Sequence, residues 1–139
     1  MNNFLTKKSE KSVIVTGATG FLGRALVPQL LEKNYKVFAL ARNIEKAKTL
    51  PWYNEVIFQK FDLSDGIMPE IINCDGLIHL AWDNLSNYES FYHIEFNLFR
   101  SLSFIRSMLE NGVSQVMVAG TCFEYGNQFG PLDSGMQTN

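Results

Sequence analysis

The segment Gly17-Ala18-Thr19-Gly20-Phe21-Leu22-Gly23 constrains this chain more than any other feature. It follows directly on a short β-branched run, Ser12–Thr16, and opens a stretch with helical apolar spacing, Phe21–Lys33. A glycine pattern alone is weak. Strand, tight turn and helix together form the arrangement in which free N–H groups at a helix start meet a phosphate. Each glycine then has a task. Gly17 permits the sharp turn, Gly20 removes a Cβ where backbone approaches a pyrophosphate, and Gly23 lets the helix pack close to the strand. Thr19, Phe21 and Leu22 complete the candidate cofactor-binding turn.

From Ser12 onward, strand-like and helix-like segments alternate. Lys36–Ala41, Val56–Gln59, Gly76–Ala81 and Gln115–Ala119 read as four further strands. In the first helix Leu22, Ala25, Leu26, Gln29, Leu30 and Lys33 recur at helical spacing, and Pro28 inside it predicts a bend. Ile44–Leu50 reads as a short helix stopped by Pro51, and Ile67–Ile72 as a helical turn. Tyr88 to Glu110 reads as the longest helix, closed by Asn111-Gly112. One of its faces carries Phe91, Ile94, Leu98, Leu102, Ile105 and Leu109. A second apolar set is Tyr92, Phe96, Phe99 and Met108, so the helix needs cover on more than one side. The alternation predicts an α/β fold, a Rossmann-type doubly wound parallel sheet of five strands in the order 3-2-1-4-5. Ligands of such sheets bind at the carboxyl ends of strands 1 and 4, where the order reverses. Residues 1–11 read as a polar lead-in, 12–126 as the dinucleotide-binding domain, and 127–139 as an irregular tail.

Charge excludes some functions. Twelve basic and 14 acidic residues give a net charge of −2, which offers no footprint for nucleic acid and no polybasic membrane signal. No apolar run reaches transmembrane length, and the first residues lack the apolar core of a signal peptide. Cys74 and Cys122 are too few and too far apart for a metal cluster or disulfide framework. No metal site is expected, and reduced thiols and a cytoplasmic location are.

The end of the second strand bears on cofactor choice. A carboxylate there would bond the 2′-hydroxyl of NAD(H) and repel a 2′-phosphate. Here the strand ends Ala39-Leu40-Ala41 and Arg42 follows. A guanidinium is always charged and presents a planar fork that suits phosphate. NADP(H) is therefore favoured over NAD(H), with Arg42 as a solvated surface charge the competing reading. Arg24 and Lys46 read as surface charges, with assistance to Arg42 the alternative. His79 lies within an apolar strand and reads as a structural histidine rather than a catalyst.

The spacing G-x-x-G-x-x-G in TGATGFLG resembles the signature of the extended short-chain dehydrogenase/reductase superfamily, and within it the NAD(P)-dependent epimerase/dehydratase family. The resemblance runs from about Lys11 to Asn139. It implies that Asp62 and Leu63, after strand 3, border the adenine ring; a turn or cap role for Asp62 stays open. Leu80-Ala81-Trp82 would lie along the cofactor. Asn97 would support the nicotinamide side, unless it is simply an exposed helix residue. In Gly120-Thr121-Cys122-Phe123-Glu124-Tyr125-Gly126, Thr121 matches the catalytic hydroxyl that hydrogen-bonds the substrate oxygen, although Glu124 stands where many members carry an aliphatic residue. The substrate class implied is a nucleotide sugar, in surface-polysaccharide pathways.

The family's chemistry also needs a Tyr with a Lys four residues later, which lowers the phenol pKa. Tyr35, Tyr53, Tyr88, Tyr92 and Tyr125 are followed at that distance by Ala39, Ile57, Tyr92, Phe96 and Phe129, and no Lys occurs after Lys60. The expectation is an enzyme's cofactor-binding half, truncated before the last strands and the Tyr–Lys helix, and inactive alone. Its long helix 88–110 would drive dimerisation or self-association. The alternative is a non-catalytic NAD(P)-binding regulatory or interaction module, against which Thr121 argues.

Overall fold

Val13, Val15, Val37 and Ala39 lie in one buried cluster, while Ile14, Leu40 and Leu77 lie in another. Residues one apart in a strand face opposite sides, so these two clusters are the two covered faces of one sheet. A computed structural model describes residues 11–126 and 128–138, the side chains of Cys122 and Phe123 excepted. Its strands are β1 (Ser12–Thr16), β2 (Lys36–Ala41), β3 (Ile57–Lys60), β4 (Gly76–His79) and β5 (Gln115–Val118). All pairings are parallel, in the order β3-β2-β1-β4-β5. This is the doubly wound order expected from the sequence, with its switch point between β1 and β4.

Helix α1 (Phe21–Glu32) covers the first face with Val27 and Leu30. It runs through Pro28, which lacks the N–H that would bond the Arg24 carbonyl. Arg24 is exposed, so water can take that carbonyl. A short helix α2 (Ile44–Lys48) is capped by Asn43, whose side chain accepts the Lys46 N–H. Helix α3 (Phe99–Glu110) covers the second face. Its Phe104, fully buried, packs on Phe61 and on the His79 ring, with centroids 5.0 and 5.4 Å away. No helix among the described residues is long and apolar enough to cross a membrane.

Several details differ from the sequence reading. The long helix does not begin at Tyr88: the Ser90 hydroxyl accepts the Tyr92 N–H at 3.2 Å and fixes the start there. Its first part, His93–Leu98, is a π-helical turn that continues into α3. The side turned to the sheet carries Asn97, Ser101, Phe104 and Met108, whereas Phe91, Ile94, Phe99 and Leu102 point outward. Ile67–Ile72 forms no helical turn, because Pro69 disfavours helical geometry at Met68. Helix α2 ends at Lys48, and β4 and β5 end at His79 and Val118, short of the expected boundaries. Cys74 is a buried free thiol, while the Cys122 side chain lies outside the described residues. Residues 128–138 contain no helix or strand.

Candidate functional site

The glycine turn fits its neighbours so closely that side chains are excluded. Gly17 has φ +66°, and a Cβ there would lie 3.1 Å from the Ala81 nitrogen and the Leu80 carbonyl carbon. At Gly23 a Cβ would collide with the Gly17 carbonyl oxygen and come within 2.6 Å of the Ala18 Cα. The turn closes on itself through Gly20 N–H to the Gly17 carbonyl at 2.9 Å. No side chain caps α1 and no acid stands in its first turn. The first intrahelical bond is Arg24 N–H to the Gly20 carbonyl, at 3.0 Å. The earlier amides therefore keep the unpaired positive end of the helix for an anion.

A cavity of about 660 Å³ opens at this end of the sheet, the size of a cofactor site. Gly17, Thr19, Gly20, Phe21, Leu22 and Gly23 form its floor at the switch point. Arg42 lines it after β2, Asp62 and Leu63 after β3, Leu80, Ala81 and Trp82 after β4, and Asn97 from the π-helical turn. Thus every cofactor-side residue singled out in the sequence borders one cavity. Lys46 joins them, and Arg24 does not. Asp62 also caps the turn that follows it, accepting the Ser64 amide at 2.9 Å and the Ser64 hydroxyl at 2.7 Å. Burial pushes its pKa up, but the two Ser64 hydrogen bonds and the charges of Arg42 and Arg100 outweigh this and hold it below the usual value. Thr121 follows β5 on the same sheet edge, is exposed, and does not border the cavity.

The wall at Leu80 and Ala81 is held from inside the core. The Thr16 hydroxyl oxygen accepts both the Leu80 and the Ala81 N–H, each at 3.1 Å. Its own proton is left for His79 Nδ1, 2.9 Å away. His79 Nδ1 must then be unprotonated, and Nε2–H donates to the Ser101 hydroxyl at 3.2 Å. Burial pushes the His79 pKa down to about 4. His79 is a structural histidine, as its apolar strand suggested.

Sequence reasoning missed a second polar network at the cavity mouth. Asn97, nearly fully buried, donates to the Asp83 carbonyl at 2.8 Å, and its amide also lies 3.1 Å from His93 Nδ1. His93 Nδ1 accepts the Trp82 indole N–H at 3.0 Å, and His93 Nε2 meets the Asn87 carbonyl at 2.9 Å. The Asp83 carboxylate pairs with Arg42 at 3.2 Å. Arg100 donates to the Tyr92 hydroxyl at 2.9 Å and lies over the Phe96 ring. The π-helical turn brings His93 and Asn97 side by side, and such turns are frequent at functional sites. Nothing in the apolar periodicity of 91–110 signals it. Among the described residues no three His, Cys, Asp or Glu gather as metal ligands.

The chain matches the family described as NAD dependent epimerase/dehydratase over residues 13–138. It is 33% identical over 130 residues to a dTDP-6-deoxy-L-talose 4-dehydrogenase (NAD(+)) of Aggregatibacter actinomycetemcomitans, covering 92% of this chain and 48% of that protein. The chain spans less than half the length of the first curated relatives it matches. Among solved structures, MoeE5 in complex with UDP-glucuronic acid and NAD superposes with a TM-score of 0.68 at 23% identity, over 92% of this chain and 42% of that one. Gre2 in complex with NADPH, from Candida albicans, gives 0.59 at 23% identity, over 78% and 36%.

Proposed function

The chain belongs to the NAD dependent epimerase/dehydratase family, and on that premise we propose that its cavity binds NADP(H) in preference to NAD(H). The observation that carries this reading is the glycine turn, which admits no Cβ at Gly23, needs a positive φ at Gly17, and leaves the helix N-terminus uncapped. The backbone of Gly17, Thr19, Gly20, Phe21, Leu22 and Gly23 takes the pyrophosphate, and Asp62 and Leu63 flank the adenine. Leu80, Ala81, Trp82 and Asn97 border the nicotinamide half. Arg42 meets the 2′-phosphate. One relative is named for NAD(+), and the solved structures hold NAD in one case and NADPH in another, so the choice falls to this chain's own residues. Ala41 offers no carboxylate for a 2′-hydroxyl, and Arg42 borders the cavity.

The activity we assign to the whole protein is oxidoreduction, epimerisation or dehydration of a nucleotide-linked sugar. The talose dehydrogenase and the UDP-glucuronic acid complex support that class. Thr121 is the hydroxyl we assign to the substrate oxygen. No tyrosine of this sequence has a lysine four positions on, so the 139-residue chain is assigned binding and not turnover. The outward apolar residues Phe91, Ile94, Phe99 and Leu102 support self-association through residues 88–110. Light scattering should show a dimer or larger species, and a monodisperse monomer contradicts that part.

Calorimetric titration with NADP⁺ and NAD⁺ tests the cofactor reading. Wild type should bind NADP⁺ more tightly. Arg42→Ala should weaken NADP⁺ about tenfold, the worth of one charge-assisted hydrogen bond, and leave NAD⁺ within about twofold. Equal losses for both dinucleotides would count against the role given to Arg42.

A further inference from the structure

Arg42 does not point freely into the cavity. Its Nη1 lies 3.2 Å from Asp83 Oδ1, and both residues border the space. Asp83 is itself fixed: its carbonyl accepts the buried Asn97 amide at 2.8 Å, and its Oδ2 faces the Tyr92 hydroxyl at 3.5 Å. Arg100 in turn holds that hydroxyl at 2.9 Å. A chain of polar groups therefore crosses the mouth from the end of β2 to the start of the long helix. The Asp83 backbone is anchored in this chain, while the two charged groups are both accessible, 61% exposed for the Arg42 side chain and 45% for that of Asp83.

We infer that Asp83 is a specificity-determining residue, which lowers the preference for a dinucleotide carrying a 2′-phosphate by competing for Arg42. The inference rests on the reading that Arg42 meets that phosphate. A 2′-phosphate must draw the guanidinium from a carboxylate whose backbone is held in place, and it then sits beside that carboxylate's negative charge. A dinucleotide without the phosphate leaves the pair intact. An exposed ion pair contributes at most about 1 kcal/mol, so the competition amounts to about fivefold in affinity. The mouth thus carries a graded balance between the two cofactors, and the sign of the charge at position 83 sets it.

The test is a set of calorimetric titrations of the 139-residue chain with NADP⁺ and NAD⁺. Asp83→Asn should tighten NADP⁺ about fivefold and leave NAD⁺ within about twofold. In the Arg42→Ala background the same substitution should raise the NADP⁺ to NAD⁺ preference by less, because only the direct repulsion remains to be relieved; an equal rise in both backgrounds would overturn the competition for Arg42. Asp83→Ser, which removes the charge with a smaller side chain, serves as the second variant, and unfolding midpoints identify any variant that has lost its fold. If Arg42→Ala lowers the preference while neither Asp83 variant raises it, this inference is overturned and the cofactor reading stands. If Arg42→Ala leaves the preference unchanged, or wild type binds neither dinucleotide, the cofactor reading fails and the role of Asp83 fails with it.

Discussion

Gly23→Ala is expected to cost more than about 3 kcal/mol of stability and to weaken dinucleotide binding at least about a hundredfold. The added methyl group would collide with the Gly17 carbonyl oxygen and lie 2.6 Å from both the Cα and the carbonyl oxygen of Ala18. All of these are backbone atoms, so no rotamer change relieves the overlap, and the first turn of α1 must move away from β1. Gly17 is also boxed in, since its carbonyl closes the turn with the Gly20 N–H and its Cα lies against the Leu80–Ala81 peptide. Moving the helix start therefore removes the uncapped amides from the cavity floor as well as the packing of Val27 and Leu30 below it. Gly76→Ala is the matched control. A Cβ there meets nothing closer than 3.8 Å, and its stability should stay within about 1 kcal/mol of wild type. Urea unfolding and NADP⁺ titration of the two variants give the comparison. Similar behaviour of Gly23→Ala and Gly76→Ala would show that the turn is not the tight cradle described.

Acidification should cost a comparable amount. The His79 pKa is pushed from 6.5 down to about 4 by burial, so the unfolded chain takes up a proton at a higher pH than the folded one. The stabilisation is complete above the unfolded value near 6.5. It is lost progressively as the pH falls toward 4, by about 3 kcal/mol in all. The network explains why the folded form resists the proton. Thr16 has used both acceptor positions on the Leu80 and Ala81 amides, so a proton on His79 Nδ1 finds no acceptor there. Asp62 and Asp75 also have lowered pKa values. For Asp62, burial raises the pKa and the Ser64 hydrogen bonds and nearby arginines more than reverse it; for Asp75 the cause is hydrogen bonds from the Ser12 amide and hydroxyl. Their losses begin only within the carboxylate range, which leaves the window between 6.5 and 4 to His79. Denaturant unfolding between pH 7.5 and 4.5 should show stability falling by close to one proton's slope. A flat profile would contradict a neutral buried His79.

Much of the fold could be read from residues whose local chemistry has few solutions. A β-branched run, glycines at 17, 20 and 23 and an apolar helix left little choice, and the alternation that followed set the strand order. Of the residues that border the cavity, the glycine turn and Arg42 were readable from local chemistry, because parallel strands end on one edge and the residues just after β1 and β2 converge there, whereas Asp62, Leu63, Leu80–Trp82 and Asn97 were pointed to only by the family resemblance. The long helix resisted such reading. Periodicity marks stripes of apolar residues but not the stripe that meets the sheet, and Phe104 lay in neither of the two sets proposed. The outward placement of Phe91, Ile94 and Leu102 follows from the buried Asn97 and Ser101, whose hydrogen bonds to the Asp83 carbonyl and His79 depend on tertiary placement. His93 was invisible for a related reason. A π-helical turn widens the local spacing, and no pattern built on 3.6 residues per turn finds it. Pro69 carried a readable signal, since it argued against a helical turn at 67–72.

Titration of the ¹⁵N-labelled chain with NADP⁺, followed by amide chemical shifts, tests the central claim most directly. The account predicts saturable shifts concentrated at Gly17–Gly23, Arg42, Asp62–Leu63 and Leu80–Trp82, with residues at the opposite end of the sheet, such as Ser12 and Asp75, unmoved. Saturable shifts centred elsewhere, or no shifts at millimolar NADP⁺ or NAD⁺, would contradict it.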